Sequence, residues 1–335
     1  MESNIADVVS STGINLEDPD NAHLAIKLCE FLLKSKSVNT CKKYMSSFNK
    51  WCKFIKNKNK PCIPANPIHL SLFVTHLMNI GSSYHVISSA IYSIKWAHSI
   101  LGYSDPTIHP FIKSLLDSSK RHNKPSITKK EPVSTSNLIN LCDHFKGSSN
   151  LSDIRDLCMI LISFAGFLRF DELSSLLCSD IVFMGDYMKV FIRKSKTDQY
   201  RQGNEVLIAR GVTSACPVKM TEKYFKLGSI DNSSCDFLFK PLFKSKDGAK
   251  LINKNKKLSY TRTRECLVSK LKSVMGNVNI GLHSLRSGGA TTAANSDVND
   301  RIWKKHGRWI SDSSKDGYVK GSLDSRISVS SKLGL

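Results

Sequence analysis

Only one stretch of this chain alternates. From Asp180 to Arg210, DIVFMGDYMKVFIRKSKTDQYRQGNEVLIAR sets apolar against polar residues, with turn signals at Gly185-Asp186 and around Gln202-Gly203-Asn204. Successive side chains of a strand face opposite ways, so this pattern predicts a three-stranded antiparallel sheet with one buried face. Nothing before residue 180 alternates in this way, and helical spacing resumes after it. The fold class that follows is mainly α with a small antiparallel β-sheet, the sheet belonging to an α+β domain in the second half.

The first half reads as a helical bundle. Over 38–55 the apolar positions Val38, Cys41, Tyr44, Met45, Phe48, Trp51, Cys52 and Ile55 follow the rhythm of one buried helix face. Lys42, Lys43, Lys50 and Lys53 fall mostly on the other side, where they can hold phosphates, and Asn39 or Thr40 is positioned to cap the start. Further helices are predicted at about 22–35, 67–80, 84–101 and 109–120, separated by Pro61, Pro64 and Pro67, by Gly81-Ser82-Ser83, and by Gly102 to Pro106. Residues 21–121 therefore form one helical domain. Residues 1–20, with five acids and no Lys or Arg, read as a disordered acidic tail, and the polar stretch over 122–132 as a linker.

Charge narrows the partner. The chain carries 49 Lys and Arg against 28 Asp and Glu, a net +21, and residues 21–130 alone hold seventeen basic residues against three acids. Such an excess over a folded segment points to a polyanion, with nucleic acid ahead of a membrane surface. No apolar run is long enough to span a bilayer, and the N-terminus lacks a signal-peptide pattern, so an intracellular protein is expected. The ten cysteines have no metal-ligand spacing and read as ordinary buried thiols, with no metal or cofactor implied.

The second domain, 133–322, opens with helices near 135–146 and 151–167, the apolar run LCMILISFAGFL ending a core helix at Gly166. Arg169 follows at once, then Glu172, its simplest partner in an ion pair. Helices are predicted near 215–227, 259–275, 284–295, 297–305 and 312–321, with Arg262 and Arg264 opening the second of these at a DNA-facing end. Residues 323–335 read as a tail. The GG at 288–289 lacks the spacing of a phosphate-binding loop.

Between His283 and Tyr318 lie the types of residue that phosphoryl transfer requires. His283 and Arg286 are three apart, Trp309 sits in HGRW, and Tyr318 follows nine residues later. None is informative singly. In order, Arg169, a lysine at Lys194 or Lys196 on the second turn of the sheet, His283-x-x-Arg286, Trp309 and Tyr318 resemble the tyrosine recombinase/integrase family over most of the chain. GFLRFDEL, KSKTDQ, HSLRSGGAT and HGRW are closest in phrasing to enzymes of Crypton and DIRS mobile elements.

That resemblance implies a helical core-binding domain over 21–121 and a catalytic domain over 133–322. It implies that Tyr318 attacks a DNA backbone phosphate to leave a 3′-phosphotyrosyl link and a free 5′-hydroxyl. Arg169 and Arg286 would clamp the non-bridging oxygens, and His283 and Trp309 would donate to them. Trp309 is preferred to His306, which lies twelve residues before Tyr318. Lys196, with Lys194 as competitor, would protonate the departing oxygen, and Glu172 would orient Arg169 or His283. Double-stranded DNA is the implied partner, bound by a homotetramer on two duplexes. Exchange of a C-terminal segment between copies would be short. A nuclear location is expected for a eukaryotic source. The alternatives are a recombinase-derived DNA-binding protein that no longer cuts and a type IB topoisomerase.

Overall fold

The computed structural model describes residues 8–122, 129–196, 198, 202–245, 248–296 and 298–333. It divides into two compact units, 1–127 and 128–335. Residues 1–7 of the expected tail and 123–128 of the expected linker lie outside the described residues.

The first unit is helical: α1 (Pro19–Lys34), α2 (Val38–Lys56), α3 (Pro67–Asn79), α4 (Tyr84–Ile100) and α5 (Pro110–His122). Its core takes Phe48, Trp51 and Ile55 from α2, Leu70, Phe73 and Leu77 from α3, Ile87, Ile91 and Ile94 from α4, and Ile112 from α5. Trp51 is fully buried, and its indole N–H donates to the Cys62 carbonyl at 2.9 Å, so the ring contributes area without an orphaned donor. Lys42, Lys43, Lys50 and Lys53 are exposed.

Two expectations for this unit need correction. The cap of α2 is Ser37, whose hydroxyl accepts from Thr40 N–H, rather than Asn39 or Thr40. The acidic tail is shorter than 1–20, because Asp18 caps α1 through Asp20 N–H and Pro19 opens the helix. Acids there favour the positive end of the helix. Val9 packs with Cys29 and Leu101.

The second unit is built around α7 (Leu151–Ala165), buried on nearly every side. The other helices of the unit are α6 (Thr135–His144), α8 (Phe170–Ser174), α9 (Pro217–Leu227), α10 (Tyr260–Met275), α11 (His283–Ala294), α12 (Asp300–His306), α13 (Asp312–Asp316) and α14 (Leu323–Ser331), of which α8, α9, α10 and α11 pack on α7. The sheet has the predicted order and sense: β1 (Ile181–Met184), β2 (Tyr187–Ile192) and β3 (Asn204–Ala209), antiparallel, with Val190 opposite both Ile181 and Val206. Met188, Val190, Ile192, Val206 and Ile208 enter the core, as alternation requires.

Here too the structure departs from expectation. A second hairpin, β4 (Leu242–Ser245) with β5 (Gly248–Leu251), was not foreseen, since four-residue arms are too short to establish a period. Its sequence signal is the Asp247-Gly248 pair. The helix expected over 312–321 is α13, capped at Gly317, so Tyr318 lies just beyond it. Helix α14 occupies the stretch expected to be a tail. The end of the expected linker is docked: Glu131 N–H donates to Asn279 O at 2.8 Å, Val133 N–H to Ser284 O at 3.1 Å, and Val133 is buried. All ten cysteines are free thiols, and Cys235 is exposed rather than buried. No described helix is long and apolar enough to cross a membrane.

Candidate active site

Two helix ends of the same design build the site. At the end of α7, Gly166 N–H bonds back to Ile162 O and Leu168 N–H to Ser163 O, with Phe167 between them at φ +48°. At the end of α12, Gly307 N–H bonds to Trp303 O and Trp309 N–H to Lys304 O, with Arg308 at φ +57°. Both are left-handed helix terminations of the kind usually filled by glycine. Placing a side chain there costs on the order of 1 kcal/mol or more, tolerated where surrounding contacts over-determine the backbone. Those contacts are the site itself.

The left-handed turn aims the Phe167 carbonyl inward, where it accepts from Arg286 Nη1 and, at 3.0 Å, from Arg308 Nη2. Arg286 Nη2 donates to Gly307 O at 2.6 Å, so Arg286 links the two helix ends. Arg308 Nη2 also donates to Glu172 Oε2 at 2.9 Å, and Arg169 Nη1 to Glu172 Oε1 at 2.7 Å. Glu172 accepts a third bond from Arg169 N–H. Burial alone would raise this carboxyl, but the charges of Arg308 and then Arg169 outweigh it and hold Glu172 below the usual carboxylate range. Burial, and next the Arg169 charge, push Arg286 below the usual guanidinium range, although a guanidinium so basic stays protonated.

Aromatic rings close over Arg286. Its guanidinium carbon lies 4.4 Å from the centroid of Trp309 and 5.1 Å from that of Tyr318, a cation set against two adjoining rings. The Trp309 and Tyr318 centroids are 5.5 Å apart, and those of His283 and Tyr318 6.5 Å. Arg286 is completely covered, whereas Arg169, His283 and Lys196 reach the surface. Arg286 Nε and Trp309 Nε1 are buried N–H groups with no acceptor among the described residues. Partial burial, then the charges of Arg286, Lys130, Arg169 and Lys196, lower the His283 pKa, favouring the neutral ring. Ser287 Oγ donates to Tyr318 O at 2.5 Å, fixing the backbone of the tyrosine against α11.

No protein-family profile matches the chain. An integrase/recombinase XerD homolog of Selenomonas ruminantium is 26% identical over 294 residues, covering 85% of this chain and 82% of that protein. The XerH site-specific recombinase, bound to palindromic difH substrate in a post-cleavage complex, matches with a TM-score of 0.59 at 13% identity, over 88% of this chain and 78% of XerH. The Tn1549 transposon integrase in complex with transposon right end DNA matches with a TM-score of 0.55 at 12% identity, over 92% of this chain and 99% of that one. The sequence match runs through both units, and the fold is shared. The chain is similar to tyrosine recombinases over most of its length.

The fold thus brings Arg169, His283, Arg286, Trp309 and Tyr318 into one cluster, with the charge of Lys196 reaching His283. Lys194 is exposed on the same turn. His306 is turned away: its Nε2–H donates to Ala165 O at 2.7 Å and its ring meets the edge of Phe167. Glu172 accepts hydrogen bonds from Arg169 and Arg308. Arg262 and Arg264 are exposed on the first turn of α10, Arg262 within 3.8 Å of Glu265. Sequence reasoning missed Arg308, whose only signal was its position beside Trp309. It also missed the use of the glycine pair. A Cβ at Gly288 would stand 2.1 Å from Val133 O, and one at Gly289 2.3 Å from Phe164 O, so the pair lets α11 press against the Val133 backbone on one side and α7 on the other. The likeness to Crypton and DIRS enzymes has no counterpart among these three relatives.

Proposed function

We infer that the protein is a site-specific DNA strand-exchange enzyme that cuts and rejoins strands through a 3′-phosphotyrosyl intermediate. The observation that carries this reading is the packing of Tyr318 and Trp309 against one buried guanidinium, Arg286, with the His283 ring beside that of Tyr318. A phenol beside a cationic, donor-rich pocket is suited to attack a phosphodiester and to stabilise the charge that develops on it.

The Tyr318 oxygen attacks phosphorus, forming the phosphotyrosyl bond as the bond to the 5′-oxygen breaks. On this reading neutral His283 takes the phenolic proton, and Lys196 supplies a proton to the departing 5′-oxygen. Arg169 and Arg286 hold the non-bridging oxygens, with Trp309 Nε1 a further donor that cannot itself transfer a proton. The phosphate reaches Arg286 once the Tyr318 ring moves off its face. Rejoining reverses these steps with the 5′-hydroxyl of another strand as nucleophile.

On this reading 21–121 is the core-binding domain and 133–322 the catalytic domain. Lys42, Lys43, Lys50, Lys53, Arg262 and Arg264 contribute phosphate contacts to duplex DNA. A homotetramer on two duplexes, acting inside the cell and in the nucleus of a eukaryotic source, would carry out integration or excision of a mobile element. No observation favours a silent DNA-binding protein or a topoisomerase.

The test is incubation with nicked duplex DNA, followed by detection of an SDS-resistant adduct. The expected adduct forms in EDTA and is lost in Tyr318→Phe; one that persists in that variant refutes the nucleophile.

A further inference from the structure

Four cations act on His283: Arg286, Lys130, Arg169 and Lys196. Three belong to the constellation read from the sequence. Lys130 does not, because it falls in the stretch expected to be a linker. Its backbone neighbours are nonetheless fixed, Glu131 to Asn279 and Val133 to Ser284, the residue after His283. The Lys130 side chain lies across Gly281: a Cβ added there would stand 2.4 Å from its Nζ and 3.1 Å from its Cδ and Cε. Any larger residue at 281 would displace it. Glu131 also meets Lys320 Nζ at 2.5 Å, so the same stretch is tied to the segment just past Tyr318.

The acids nearby are committed elsewhere. Glu172 is shared by Arg169 and Arg308, and Glu131 is taken by Lys320. Among the described residues Lys130 has no carboxylate partner, and it is exposed. Like charges held this close repel, and an anion bound between them relieves the repulsion. A stray surface lysine would instead be free to swing into water, without a glycine beneath it or a backbone pinned on its C-terminal side.

We propose that Lys130 is a phosphate-contacting residue of this active site, its ammonium binding the DNA backbone at or next to the phosphate that Tyr318 attacks. The inference rests on the strand-exchange reading, and two measurements separate them. In single-turnover assays on a nicked duplex at saturating protein, Lys130→Gln should slow adduct formation at least tenfold, and Lys130→Arg should recover much of the loss. Lys129→Gln, one residue away and equally exposed, serves as the control and should stay within about twofold. In a Tyr318→Phe background, Lys130→Gln should lower the slope of log affinity against log salt by about 0.9, the loss of one phosphate contact. A wild-type adduct rate and an unchanged slope in Lys130→Gln overturn the proposal, as does an equal loss in Lys129→Gln. If the unaltered protein forms no adduct, strand exchange fails, while the salt slope still decides whether Lys130 contacts DNA.

Discussion

Removing the carboxylate of Glu172 should cost far more than a surface ion pair. Glu172 is 3% exposed and accepts from Arg169 N–H, Arg169 Nη1 and Arg308 Nη2, and Arg308 is 8% exposed. Glu172→Ala leaves Arg308 buried without its carboxylate, and breaking a buried pair from one side costs roughly 3–5 kcal/mol. For a unit of this size each kcal/mol lowers Tm by about 2–4 °C, so a fall of roughly 6–20 °C is expected. Calorimetry of the full chain can follow the unit, with fluorescence of Trp303 and Trp309 as a probe inside it. The decisive comparison is a double-mutant cycle. With Arg308→Met in the background the stranded charge is gone, and Glu172→Ala should then cost at least about 1 kcal/mol less. A cost below about 1 kcal/mol in the single variant, or strict additivity with Arg308→Met, would refute the reasoning. The pH dependence provides a sign check. The folded carboxyl is held below its ordinary value of 4.5, so its contribution is complete above that value and is lost as pH falls through the lowered folded one. Glu172→Gln should flatten that part of the acid limb.

Arg169→Ala or Arg286→Ala should raise the cleavage barrier by about 3 kcal/mol or more, roughly a hundredfold in adduct rate, and a normal rate in either would remove that arginine from the mechanism. Gly307→Ala places a Cβ 1.6 Å from the Trp309 ring; overpacking of this kind costs about 1–3 kcal/mol, and Trp309 must move, so both Tm and cleavage should fall. Because the His283 pKa is lowered from 6.5, its limb in the pH–rate profile should lie below that value, with rate rising as the ring loses its proton, and His283→Ala should abolish the limb.

Much of the architecture was legible because its cause is local. The apolar spacing from Val38 to Ile55 and the alternation from Ile181 to Ala209 each reflect which side chains one element can bury, and those elements stand where the patterns put them. Short elements were missed or overdrawn for the same reason: β4–β5 is too short to display a period, and α13 ends at Asp316, well before the 321 expected for it. Caps and chain ends were misread where several polar residues competed, as Ser37 did with Asn39 and Thr40.

By itself the sequence determined the mainly helical class, the place of the sheet, and the order in which Arg169, His283, Arg286, Trp309 and Tyr318 follow one another. Only the tertiary structure decided how they meet. The Phe167 carbonyl accepts from guanidiniums 119 and 141 residues away, through a left-handed turn that local preference would have assigned to a glycine. Arg308 binds Glu172 across 136 residues, and Lys130 reaches the site from a stretch with the composition of a linker. Such contacts have no period and no short-range signature. Their cost in backbone strain and buried charge is offset by partners that only the folded chain brings within reach.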